Sequence, residues 1–159
     1  MTTGWRVWLL DPDGTFPRSA RDRHGSPLLW AGCVMPHDAP DPGCACGLAL
    51  VPDFADLLDA IEHRPWTLEL HPLRAFARGR GLLDALRTGR RPDLLARCTS
   101  LGDKQSRASR HDPPGTGRCE LLRVEQLYLL PHAAHHADDL ALELGAVPAL
   151  VADLAQVAV

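Results

Sequence analysis

The sequence predicts an α+β fold: a small antiparallel sheet with packed helices and a zinc-stabilised loop, in a single domain over residues 1–159. Three observations point there. Short apolar runs bounded by Gly and Pro read as strands, two segments carry helical periodicity with their own start and stop signals, and a Cys/His-rich stretch lies between two of the strands. A chain of 159 residues that is 45% hydrophobic can bury one substantial core.

The first element is "GWRVWLL", where Trp5, Val7 and Leu9 alternate with Arg6 and Trp8. With "DPDG" and "TFPR" after it, it predicts a β-hairpin. "SPLLWAGCV" and "CGLALV" predict further strands on either side of the cysteine loop. "DFADLLDAIEHR" predicts a helix capped by Asp53, with Phe54, Leu57, Leu58 and Ile61 on one face and Pro65 as its stop. "WTLELH" then reads as a strand and "GLLDALRTG" as a short helix ended by Gly89.

Residues 102–117, "GDKQSRASRHDPPGTG", have almost no apolar content and predict a mobile loop. "RCELLRVEQLYLL" predicts one or two strands, and "ADDLALELG" a helix with acids in its first turn and Gly145 at its end. The last segment, "PALVADLAQVAV", reads as a second helix carrying Leu150, Val151, Leu154 and Val157.

The basic residues are 16 arginines and one lysine, Lys104, and they are unevenly spread. Residues 1–73 hold five basic against ten acidic residues, 74–118 eleven against four, and 119–159 one against six. The basic middle can serve as a phosphate-binding surface, or it can balance its acidic flanks within the fold. No run is long and apolar enough to span a membrane, and the N-terminus lacks the pattern of an export signal. The expectation is a cytoplasmic protein without a membrane partner, in which five cysteines serve as thiols or metal ligands.

Chemistry concentrates in "CVMPHDAPDPGCACG", residues 33–47, whose spacing is C-x3-H-x6-C-x-C through Cys33, His37, Cys44 and Cys46. Zinc suits this set, because a filled-shell ion takes thiolate and imidazole in a tetrahedron without a geometric demand of its own. Gly43 and Gly47 permit turns that let the ligands converge, and Pro40 and Pro42 stiffen the spacer. Buried structural cysteines and a reactive thiol are the competing readings. If His37 is not a ligand, Asp38 or Asp41 can replace it, or three ligands can leave an open position for water.

A second cluster, His132, His135 and His136 with Asp139, places pairs four residues apart, which suits either a second metal or a solvated helix start. Cys98 and Cys119 read as core residues. No nucleophile elbow, phosphate loop or dinucleotide fingerprint is present.

"GWRVW", "HDAPDPGCACG" and "DPPGTGR" leading to "LRVEQLYLLP" together resemble a group of small actinobacterial proteins without an established activity. The resemblance implies a zinc-binding character for Cys33, His37, Cys44 and Cys46 and nothing about a substrate. The arginine-rich segment from Arg74 to Arg110 is longer here than in that group.

The expected function is a zinc-stabilised binding or adaptor module with a protein partner and no catalysis of its own. One alternative is a nucleic-acid-binding regulator using Arg74, Arg78, Arg80, Arg87, Arg90, Arg91, Arg97, Arg107 and Arg110 against phosphates. The other is a zinc enzyme with an open coordination position.

Overall fold

The computed structural model describes residues 1–8, 10, 16, 21–32, 36–43, 46–63, 92–106 and 112–157. Within them the class is α+β. Strands β1 (Thr3–Trp8), β2 (Leu28–Trp30), β3 (Leu48–Leu50), β4 (Leu94–Ser106), β5 (Gly117–Leu129) and β6 (Ala149–Leu150) form one sheet. Helices α1 (Phe54–His63) and α2 (Ala137–Leu144) accompany it, with 3-10 turns at Pro131–His136 and Leu154–Val157. None of the described helices is long and apolar enough to cross a membrane.

The spine is β5. Antiparallel β4 lines one edge of it, and β3, β2 and β6 follow one another along the other edge. β1 pairs antiparallel with the far side of β4, from Thr3 opposite Thr99 to Trp8 opposite Leu94. Just beyond β3, Val51 returns to β1. Trp5 N–H donates to Val51 O (2.7 Å) and Val51 N–H to Trp5 O (2.9 Å), so β1, β4, β5 and β3 form a short closed ring. Gly4 makes this closure sterically feasible, because a Cβ there would stand 2.7 Å from Val51 O.

Both faces of β1 are covered. Trp8 joins the main core with Leu29, Leu48, Leu50, Leu94, Cys98, Cys119 and Leu122, while Val7 joins a second layer with Val51, Leu95 and α1. α1 forms where its periodicity predicts: the Asp53 carboxylate accepts from Ala55 N–H (2.7 Å) at the N-terminus. Leu57, Ala60 and Ile61 are buried, and Phe54 lies 4.6 Å from the Trp5 ring. Burying Leu57 and Ile61 contributes about 1.5–3 kcal/mol each.

α2 also lies where its pattern predicts, burying Leu140 and Leu144 and ending at Gly145 with φ +62°. A Cβ at Gly145 would strike the Gly25 carbonyl, where the 21–27 segment crosses the helix end. "RCELLRVEQLYLL" up to Leu129 lies in one continuous strand, β5, paired with β4 except at two irregularities.

Three expectations are corrected. The sheet is mixed rather than antiparallel, since β6 runs parallel to β5 with Tyr128 opposite Ala149. The final segment is not an α-helix: Ala149–Leu150 is this edge strand, and among the described residues after it only Leu154–Val157 turns, as a 3-10 helix. Backbone pairing with β5, including Val151 N–H to Leu129 O (3.1 Å), outweighs the helical spacing of Leu150, Val151, Leu154 and Val157. The polar stretch from residue 102 is not loop at its start, because β4 continues through an irregularity at Gly102 (φ +90°) and pairs Gln105 with Cys119. β1 takes β4 as its sheet neighbour. The expected return strand of an N-terminal hairpin lies almost wholly outside the described residues, as do the expected strand at 66–71 and helix at 81–89.

Candidate functional site

The cysteine stretch occupies a defined place on β5. β2 pairs Leu28 with Arg123 and Trp30 with Leu121, Ala31 N–H then donates to Glu120 O (2.7 Å), and β3 begins with Leu48 opposite Cys119. β2 and β3 are therefore successive pieces of one strand line along a single edge. Residues 32–47 leave that line and rejoin it one step further along β5.

Of the four predicted ligands, His37 and Cys46 are described; Cys33 and Cys44 lie outside the described residues. Cys46 is buried in the main core beside Ala39 and the strand it precedes. The Nδ1 of His37 lies 3.0 Å from the Asp38 carbonyl. A carbonyl can only accept, so Nδ1 carries the proton and the lone pair of a neutral ring is on Nε2. Asp41 accepts from Gly43 N–H (2.7 Å), a local turn that uses this carboxylate within the backbone of the loop.

The return point is tight. Gly47 has φ +103°, and a Cβ there would stand 3.1 Å from Pro40 Cβ and 3.3 Å from Arg118 Cβ. Arg118 is locked by a bidentate pair with Asp112, Nε to Oδ2 at 2.9 Å and Nη2 to Oδ1 at 2.6 Å, and its Nη1 makes a long 3.5 Å contact with Gly47 O. Both partners are largely buried, at 11% and 3% side-chain exposure, so the fork geometry is held in a low-dielectric setting. The loop reading of 102–117 hid this pair. Its sequence signal was an acid and an arginine flanking a Pro-Pro-Gly turn.

The histidine cluster does not converge. His132 Nε2 turns to the buried Asp93 carboxylate at 2.9 Å, while the His135 and His136 rings lie against each other, tilted by 43°, with centroids 3.9 Å apart. These residues sit on a 3-10 turn rather than an α-helix, which removes the shared face that i, i+4 spacing predicts. Among the described residues, no three His, Cys, Asp or Glu side chains gather into a metal-holding group. Asp93 was missed by the sequence reading; its other oxygen accepts from Leu10 N–H (2.8 Å), so it ties the end of β1 to the turn after β5.

Of the nine candidate phosphate-binding arginines, Arg97 is described and is exposed on β4; Arg74, Arg78, Arg80, Arg87, Arg90, Arg91, Arg107 and Arg110 lie outside the described residues. Arg6 is inside the ring, donating from Nη1 to Ala49 O (3.0 Å) with its guanidinium 5.1 Å from the Trp8 ring centre. Cys98 and Cys119 are buried core thiols, as expected. Burial pushes them up to about 12 and about 11, with the nearby Arg6 charge pulling back against it. Both are protonated at neutral pH and unsuited to nucleophilic attack. The chain matches no protein-family model, and no curated protein or solved structure is significantly similar to it.

Proposed function

We propose that this chain is a small binding module whose 32–47 loop is closed by zinc held by Cys33, His37, Cys44 and Cys46. The observation that carries the reading is the single strand line of β2 and β3, with a loop leaving and rejoining it one step apart on β5. Such a loop has fixed, adjacent stems and core contacts at Ala39 and Cys46, but is otherwise rich in Pro, Asp and Gly. A metal supplies the missing cohesion, because its binding free energy adds to folding. The donor set of three thiolates and one imidazole fits zinc, and the Nδ1 of His37 lies within hydrogen-bonding distance of the Asp38 carbonyl. When bound, zinc would supply structure alone, with the coordination sphere filled. The module works by presenting a fixed surface to a protein partner and has no catalysis of its own.

The test is thermal unfolding of chelator-treated protein titrated with zinc. Saturating zinc should raise stability by about 4 kcal/mol when the free ion stands a thousandfold above its Kd. Cys46→Ser and His37→Ala should each abolish most of that rise. A melt insensitive to zinc in the native protein would end this reading.

A further inference from the structure

We infer that Arg118, held by Asp112, is the positioning residue of the metal loop: it fixes the loop's return stem before the metal arrives and so sets how tightly zinc is bound. The inference rests on the zinc reading of the 32–47 loop and adds to it two residues outside the loop on which affinity depends.

Cys46, the last of the four ligands, is followed at once by Gly47 and then by β3. Leu48 stands opposite Cys119 on β5 and Ala49 opposite Arg118. A Cβ on Gly47 would stand 3.3 Å from both Arg118 Cβ and the Cys119 carbonyl oxygen, and 3.1 Å from Pro40 Cβ. The middle of the loop, its return stem and β5 therefore meet at this one glycine. Ala39, beside Pro40, shares the main core with Cys46. A displacement of Arg118 thus reaches the chain next to Cys46 directly, and the chain that leads from His37 through Pro40.

The side chain of Arg118 makes this junction rigid. Its Nε and Nη2 donate to the two oxygens of Asp112 (2.9 and 2.6 Å), while Nη1 points to the Gly47 carbonyl at 3.5 Å. A planar guanidinium cannot turn one N–H without turning the others, so the Asp112 pair dictates where Nη1 points. Asp112 opens the Pro-Pro-Gly turn, which Thr116 closes on the Pro113 carbonyl through its N–H (3.2 Å) and its hydroxyl (2.6 Å). A stem already in position loses less conformational freedom when the metal binds, and the difference appears as affinity. The coupling is reciprocal: if the turn strengthens zinc binding, bound zinc steadies the turn to the same extent.

The test is the zinc affinity of folded full-length protein, measured by competition with a chromogenic chelator, together with hydrogen exchange at Thr116 N–H with and without zinc. Arg118→Met should weaken zinc binding about 10- to 100-fold, the usual effect of removing a group that orients metal ligands. Arg118→Lys keeps the charge but not the fork, and its affinity should fall between the two. Leu57→Ala, which lowers stability from the second layer, should keep native zinc affinity. Zinc should slow exchange at Thr116 in the native protein. Should Arg118→Met fail to fold, because it removes one half of a buried ion pair, Arg118→Lys and the Thr116 exchange still decide. Native affinity in a folded Arg118 variant, equal weakening by Leu57→Ala, or Thr116 exchange indifferent to zinc would overturn the positioning role and leave the zinc loop standing. A native protein that takes up no zinc would overturn the loop reading, and this inference with it.

Discussion

Gly4→Ala tests the ring closure at β3. The added Cβ would stand 2.7 Å from Val51 O and 2.8 Å from Leu50 Cγ, nearer than packed atoms tolerate. Relief requires β3 to move away from β1, which strains the two Trp5–Val51 hydrogen bonds. Losing them costs about 0.5–1.5 kcal/mol each, and overpacking adds about 1–3 kcal/mol. Restricting the unfolded chain offsets about 0.4–1 kcal/mol. A central loss of about 3 kcal/mol is a large share of the roughly 5–15 kcal/mol that holds a domain together, and it corresponds to a Tm drop of roughly 6–12 °C. Urea and thermal unfolding measure the loss, and hydrogen exchange at Trp5 and Val51 localises it. A variant as stable as the native chain, with both amides equally protected, would refute the closure.

Removing the Asp93 carboxylate leaves Leu10 N–H buried without its acceptor, so Asp93→Ala should cost about 2–4 kcal/mol. His132→Ala, at the half-exposed end of the same contact, should cost under about 1 kcal/mol; urea unfolding that ranks the two in reverse would contradict the clip. Gly47→Ala forces an L side chain to φ +103° and should destabilise by about 1–3 kcal/mol in the same assay. For the core thiols, folded values of about 12 and about 11 lie above the unfolded value near 9.0. Their contribution is complete below pH 9 and is lost as pH rises through the folded values, because the unfolded chain deprotonates first. Each thiol contributes a slope of about 1.4 kcal/mol per pH unit while only the unfolded form titrates. Melts between pH 9 and 11 should fall less steeply for Cys98→Ala than for the native protein.

Much of the fold was legible because local signals and tertiary needs agree. Asp53, the apolar stripe of α1, the Gly145 stop of α2 and the apolar run of β5 each act within a few residues, and each element formed where its pattern lay. The misreadings share a different cause. The β4 stretch beyond Leu101 is polar, and what extends it is backbone pairing with β5, which side-chain pattern does not record. Leu150, Val151, Leu154 and Val157 keep helical spacing, yet an open edge of β5 captures Ala149–Leu150 as a strand.

The site divides in the same way. Spacing singled out His37 and Cys46, but their setting, a loop interrupting one strand line, depends on the register of β2 and β3 against a strand some 70 to 90 residues later. Arg118 and Asp112 meet across the local Pro-Pro-Gly turn, whereas Asp93 and His132, 39 residues apart, meet through the pairing of β4 with β5. His132, His135 and His136 had suggestive spacing, and the 3-10 turn dispersed it.

The measurement that bears most directly on the proposed function is metal content by elemental analysis of protein purified without an affinity tag, with a melt before and after chelation. One zinc per chain, and a large loss of stability on its removal, is the predicted result. Metal-free protein with an unchanged melt would contradict a zinc-closed loop and leave Cys33, Cys44 and Cys46 as plain thiols.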